Sequence, residues 1–300
     1  MAAAADDPAA VYGAPPPGAV LGQVAHGDWT FGLHRQGAGD PVVLLHGLLT
    51  DSRVWYPALP DLAADGALAL AVDAPGHGHS PARPGPFSLE EEVDRLADAY
   101  RTGLGGAAPA VWVGHSMGGM KALRMALRHP ELVRALVLVD TQPYREPDSS
   151  ARPFEAMVES VVTDGMSPDL ARMIARLNFH RSFQGSERAA FWIRHFETLT
   201  GDRITHACHA VYRRGDLSGR LGAVRVPVLV VHGAGDVPIR PRVAHRYAAE
   251  LPHARLVELP DTGHTPPVER PAELSALLRE FRRSLDRTTV PPAVTAQEEQ

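Results

Sequence analysis

Short, unbroken apolar runs recur along this chain with helical stretches between them, and nothing else narrows the possible folds so far. Residues 42–45, 67–72, 110–113, 135–139 and 228–231 are such runs, and 256–259 is the weakest. A strand buried on both faces reads as a continuous apolar run rather than as an alternation. Helical patterns separate them. Over residues 89–101, Leu89, Val93, Leu96 and Tyr100 share one face, and Glu90, Glu91 and Glu92 occupy the first turn, where acids favour a helix start. Residues 118–129 stop before Pro130, and further helices are expected over 243–251 and 272–285. At the front, residues 20–26 and 29–34 read as two strands joined at Gly27-Asp28. Alternating strands and helices make this an α/β chain, a mostly parallel sheet with helices on both faces.

The alternation breaks between Gln142 and Leu221. Four amphipathic segments, 153–162, 168–179, 186–199 and 202–214, follow one another without a strand. They form a helical insertion carrying Phe154, Phe179, Phe183, Phe191, Trp192 and Phe196, most expected to pack internally and a minority to face a pocket beneath. The expected organisation is a disordered leader over 1–18, a core over 19–142 and 221–286, a helical cap over 143–220 and a flexible tail over 287–300. A length of 300 residues suits one such core with an insertion.

The chemistry concentrates in Gly114-His115-Ser116-Met117-Gly118-Gly119, which leaves a strand and opens a helix. That is G-x-S-x-G in the strand–turn–helix setting that gives it meaning. Gly114 and Gly118 are small because bulkier side chains there would clash in the turn, and the helix start favours developing negative charge. Serine needs a base. His264, in Asp261-Thr262-Gly263-His264, follows the last predicted strand, and Asp236, in Gly233-Ala234-Gly235-Asp236, follows the one before it. Both fall at carboxyl ends of strands, on the same sheet edge as Ser116. The order Ser, Asp, His suits a nucleophile, a base and an acid that orients the base. Asp140, at the end of residues 135–139, competes with Asp236 for the acid's role. Asp261 lies too close in sequence to His264 and reads as a turn residue. Oxyanion donors are expected from the backbone N–H groups of Met117 and of Leu48, the latter in His46-Gly47-Leu48-Leu49. His46 itself reads as a structural hydrogen-bonding residue. Ester turnover is expected to fall in acid as the base protonates.

Four blocks carry a family resemblance: residues 42–55 (VVLLHGLLTDSRVW), 71–80 (AVDAPGHGHS), 113–141, and 226–241 with 259–271 (VPVLVVHGAGDVPIRP, LPDTGHTPPVERP). The chain resembles the α/β-hydrolase superfamily over roughly residues 20–285, in its cap-bearing, epoxide-hydrolase-like and lactonase-like branch. The resemblance implies eight strands with the second antiparallel, and a cap over the triad. Relatives with an aspartate at the elbow are dehalogenases and epoxide hydrolases; Ser116 disfavours both activities. Val237-Pro238-Ile239 after Asp236 departs from the more polar turn of many members.

The expected function is hydrolysis of a carboxylic ester or lactone, with an apolar acyl pocket lined from the cap and by residues such as Leu48 and Met117. Arg172, Arg176 and Arg181 are available in the cap, without an assignable role. Carbon–carbon bond hydrolysis or biosynthetic tailoring with the same triad is the alternative enzyme reading, and a non-catalytic small-molecule receptor is the alternative of another class. No metal or cofactor is called for. A net charge of −5 argues against a nucleic-acid partner. No run approaches the ~18 apolar residues of a membrane span. Cys208 is the sole cysteine, so no intrachain disulfide forms, and a cytoplasmic setting is expected.

Overall fold

The structure, a computed structural model, describes residues 7–287 apart from 105 and 107. Eight strands form one sheet: β1 (Val20–His26), β2 (Trp29–Gly37), β3 (Asp40–Leu45), β4 (Ala67–Val72), β5 (Ala110–His115), β6 (Val133–Val139), β7 (Val228–Gly233) and β8 (Ala254–Leu259). Their spatial order is β1-β2-β4-β3-β5-β6-β7-β8. β2 runs antiparallel to both β1 and β4, and the other pairings are parallel. The β1–β2 hairpin closes at Gly27-Asp28, with His26 paired to Trp29.

Burial explains why the central strands lack alternation. On β3, Val42 and Leu44 join one core while Val43 and Leu45 join the other. β5 divides likewise, Val111 and Val113 against Trp112. Each strand thus feeds two apolar layers and has no solvent face to mark with polar residues. β8, at the sheet edge, is mostly half-exposed, which is why its sequence signal is weak.

The helices are α1 (Pro8–Tyr12), α2 (Ala58–Ala64), α3 (Leu89–Ala99), α4 (Met117–Arg128), α5 (Asp148–Asp164), α6 (Pro168–Asn178), α7 (Glu187–Glu197), α8 (Gly201–Tyr212), α9 (Pro241–Glu250), α10 (Pro266–Glu269) and α11 (Pro271–Arg287). Helices α5 to α8 are the four consecutive segments between β6 and β7. α2 has no counterpart in the sequence reading, because seven residues including Pro60 are too few to show a period. α3 and α4 are joined inside the protein by the fully buried ion pair of Lys121, the only lysine, with Glu92 at 2.8 Å.

The expected leader needs correction. Residues 1–6 lie outside the described residues, but Asp7 caps α1 by accepting the Ala9 N–H at 2.9 Å, and Pro8 opens the helix. Tyr12 is fully buried, its ring centroid 5.7 Å from Phe191 and 5.6 Å from Trp192 on α7. One aromatic anchor thus outweighs a composition that reads as disorder. At the other end, Arg287 still belongs to α11, and residues 288–300 of the expected tail lie outside the described residues. Tyr12→Ala is expected to cost about 3 kcal/mol of stability through the cavity left against the two rings. Urea unfolding measures it as a lower midpoint at unchanged slope; an unmoved midpoint means that α1 is not anchored as described.

Candidate active site

The turn after β5 places Ser116 in a conformation that few side chains tolerate, with φ +49° and ψ −113°. Its N–H still extends the ladder by donating to the Val139 carbonyl at 2.9 Å, while its own carbonyl accepts from Thr141 Oγ1 at 2.7 Å. The turn closes so tightly that a Cβ on Gly118 would lie 2.1 Å from the Leu45 carbonyl oxygen, and one on Gly114 would lie 2.3 Å from Gly118. Leu49, Ser116, Asp140 and Asp261 are the non-glycine residues with positive φ among those described. All four sit in loops at the carboxyl ends of strands, so backbone strain gathers on one edge of the sheet.

That edge brings the three predicted side chains together. His264 Nε2 lies 2.9 Å from Ser116 Oγ, and His264 Nδ1 lies 2.8 Å from Asp236 Oδ2. Asp236 Oδ1 accepts the Ile239 N–H at 2.9 Å, so backbone supplies the polar turn that Val237-Pro238-Ile239 lacks in its side chains. Burial raises the Asp236 pKa, but the His264 imidazole together with Asp140 and His232 outweighs it and the net shift is downward. Asp140, the competitor, is fully buried and accepts the Gly233 N–H at 2.9 Å, yet makes no hydrogen bond to His264. Burial, reinforced by the Asp236 charge, pushes the Asp140 carboxyl well above the usual range and favours its neutral form.

Asp140, Asp236 and His264 are the group of metal-ligating type among the described residues, with ligand atoms within 4.8 Å of one another. The arrangement does not suit an ion. His264 Nδ1 and Asp236 Oδ2 are bonded to each other, and Asp236 Oδ1 is held by backbone.

The two expected oxyanion donors flank the serine. Met117 opens α4, where the first N–H groups have no acceptor within the helix. Leu49 N–H is committed to His77 Nε2 at 3.3 Å, whereas no acceptor is bonded to Leu48 N–H among the described residues. His46 is structural as expected: Nδ1 donates to the Gly47 carbonyl at 2.7 Å and Nε2 accepts the Ala74 N–H at 2.9 Å.

A cavity of about 340 Å³ lies over Ser116 and His264. Its lining is largely apolar and comes from Leu48, Leu49 and the insertion, including Phe154, Met157, Ile174 and Phe196. One expectation fails here. Met117 does not line the cavity, because its side chain packs below with Leu89 and Met120. The arginine that reaches the cavity is Arg214, not Arg172, Arg176 or Arg181.

Four residues that hold the site were missed in the sequence because they work on backbone groups. His115, the variable residue of the elbow, donates from Nε2 to the His264 carbonyl at 2.6 Å. The His264 N–H donates to the Asn178 carbonyl of the insertion at 2.7 Å. Glu269 accepts from Gly263 at 3.0 Å, Thr265 at 3.0 Å and His180 at 2.9 Å, which ties the histidine loop to the insertion. Burial raises the Glu269 carboxyl against the pull of these amides. The block 259–271 contains Glu269, but nothing local reveals which amides it gathers.

A family model described as the alpha/beta hydrolase fold matches residues 40–271. Among curated proteins, the chain is 31% identical over 255 residues to the pimeloyl-[acyl-carrier protein] methyl ester esterase of Aromatoleum aromaticum, covering 81% of this chain and 98% of that protein. Among solved structures, a thermophilic esterase from Thermogutta terrifontis superposes with TM-score 0.81 at 25% identity, over 89% of this chain and 98% of the other. The enol-lactonase from Burkholderia xenovorans LB400 gives TM-score 0.77 at 25% identity, over 87% and 100% respectively.

Proposed function

The chain belongs to the α/β-hydrolase family as an ester-cleaving member, and from that premise we propose that it works through an acyl-enzyme formed on Ser116, with His264 as base and Asp236 as the orienting acid. One observation carries the reading: a single imidazole bonded at 2.9 Å to the hydroxyl and at 2.8 Å to the carboxylate. Asp236 accepts a hydrogen bond from Nδ1–H, which keeps the proton on that nitrogen and leaves the Nε2 lone pair facing Ser116 Oγ. Attack on the ester carbonyl forms the Oγ–C bond and passes the serine proton to Nε2. The tetrahedral oxyanion meets the N–H groups of Leu48 and Met117. Its collapse breaks the C–O bond, and His264 protonates the leaving alcohol. Water then gives a proton to His264 and adds to the acyl carbon; collapse breaks the Oγ–C bond, His264 returns the proton to Ser116 Oγ, and the acid is released. In a lactone the alcohol stays tethered to the acyl group, and the steps are otherwise the same; the likeness to the enol-lactonase supports including this substrate class. The insertion acts as a cap that encloses the acyl group. A cytoplasmic setting belongs to the same proposal, in keeping with a buried free Cys208 as the only cysteine.

Fluorophosphonate labelling tests the assignment. The modification is expected on the tryptic peptide that contains Ser116. Folded protein left unlabelled, or labelled at another serine, refutes the nucleophile. Turnover of a vinylogous diketone in preference to simple esters moves the activity to carbon–carbon bonds. Tight small-molecule binding without turnover of any ester makes the fold a receptor.

A further inference from the structure

The wall of the cavity between the end of β6 and the end of α8 differs from the rest. Here Tyr212, Glu146, Gln142 and Arg214 line an otherwise apolar space. The Arg214 side chain is only 1% exposed, donating to Glu146 Oε2 at 3.0 Å and to the carbonyls of Tyr144 at 2.8 Å and Val211 at 2.7 Å. Glu146 Oε2 also faces Gln142 Nε2 at 3.5 Å, and its other oxygen is bonded to nothing among the described residues. The Tyr212 ring stacks on Phe154 with centroids 4.3 Å apart, which fixes its direction. Its hydroxyl also has no hydrogen-bond partner among the described residues, although the side chain lines the cavity. A rigid phenol and a carboxylate with one uncommitted oxygen thus line the same cavity, on a wall that hydrocarbon would leave unsatisfied.

We propose that this wall is a subsite for a neutral hydrogen-bonding group, a hydroxyl or an amide, carried on the substrate away from the scissile ester. The inference rests on the reading of Ser116 as nucleophile. Charge decides the class of group. Glu146 and Arg214 neutralise each other, and three of the Arg214 donors are already engaged. A carboxylate entering here would set a second anion beside Glu146, and among the described residues lining this cavity Arg214, already paired with Glu146, is the one arginine. A hydroxyl can accept from Tyr212 and donate to Glu146 at once, and an amide can do the same with its two ends. A site built to bond such a group discriminates strongly against the analogue that lacks it.

The test uses the full chain and ethyl esters from butanoate to octanoate. At each length three chain ends are compared: ω-hydroxyl, the isosteric methyl and ω-carboxylate. The same pairs built into the alcohol of acetate esters cover the opposite orientation. At one length the ω-hydroxyl ester is expected to exceed its methyl isostere in kcat/KM by about tenfold, equivalent to about 1.4 kcal/mol. The carboxylate is expected to fall about tenfold or more below the hydroxyl. Tyr212→Phe keeps the ring on Phe154 and is expected to bring the hydroxyl-to-methyl ratio close to one, a readout that general damage does not move. No hydroxyl preference at any length in either orientation overturns the subsite while fluorophosphonate labelling of Ser116 leaves the nucleophile standing. A preference that survives in Tyr212→Phe, or a carboxylate that outperforms the hydroxyl, overturns it equally. Absence of ester turnover together with an unlabelled Ser116 overturns the nucleophile, and the subsite with it.

Discussion

Ser116→Ala is expected to lower kcat for ester hydrolysis on the order of 10⁶-fold, the loss typical of removing a nucleophile whose partners act only through it. The residual rate would come from the oxyanion donors and from the binding of the ester in the cavity. The variant is expected to fold, since the steric constraint in the turn falls on Gly114 and Gly118, whereas alanine at 116 merely trims an oxygen. Alanine must still adopt the positive φ that serine adopts there, so stability is expected to change little. Near-UV circular dichroism matching the parent, with turnover at the background of Oγ-independent hydrolysis, is the expected pair of results. Folded Ser116→Ala that retains a tenth of the parent's kcat removes Ser116 from the chemistry.

Asp236→Asn is expected to cost about 10⁴-fold in kcat with the fold intact. The Ile239 N–H fixes the outcome. It donates to one oxygen of the side chain at 2.9 Å, so the asparagine must present its carbonyl to Ile239 and its NH₂ to His264. An NH₂ group facing Nδ1 forces the ring proton onto Nε2, directly opposite Ser116 Oγ, and the imidazole can no longer take the serine proton. Asp140 stands close enough to be considered as a replacement, with a carboxyl oxygen within 4.8 Å of both partners. Its carboxyl is held toward the neutral form by burial and by the Asp236 charge. Once that charge is removed, part of the upward push disappears, and a single-turnover assay across pH would reveal any takeover. Asp236→Asn that keeps more than a tenth of the parent kcat would assign the acid's role to Asp140. The experiment thus decides between two aspartates that the sequence leaves in competition.

Ser116 and His264 could be picked out in the sequence because each sits in a short glycine-marked loop directly after an apolar run, where local pattern and strand direction suffice. Asp140 and Asp236 also follow strands, and only distances separate them. The sheet was legible for a related reason: Val42 to Leu45 must satisfy two cores at once, so the strand writes itself as a continuous run. The pocket was not. Which arginine reaches the cavity depends on how α8 docks in the fold, and periodicity within α8 says nothing of that; Arg214 lies just beyond the C-cap residue Arg213. His115, Asn178, His180 and Glu269 escaped for a different reason. Their task is to bind main-chain amides and carbonyls, or to offer their own, and main-chain groups leave no signature in a list of side chains. Tyr12 escaped because a single ring among alanines and prolines leaves no periodic signal.

The ties made by Asn178, His180 and Glu269 bear on how this enzyme could be re-engineered. Exchanging the roof of one hydrolase for that of another is an obvious route to new selectivity, and the chain boundaries before α5 and after α8 look like natural splice points. Here the imidazole rests on a loop whose amides are shared with the last residues of α6 and the turn beyond. A donor segment that does not reproduce those backbone positions would deliver a new cavity together with a misaligned base, so residues 178–180 have to travel with the host, not with the graft.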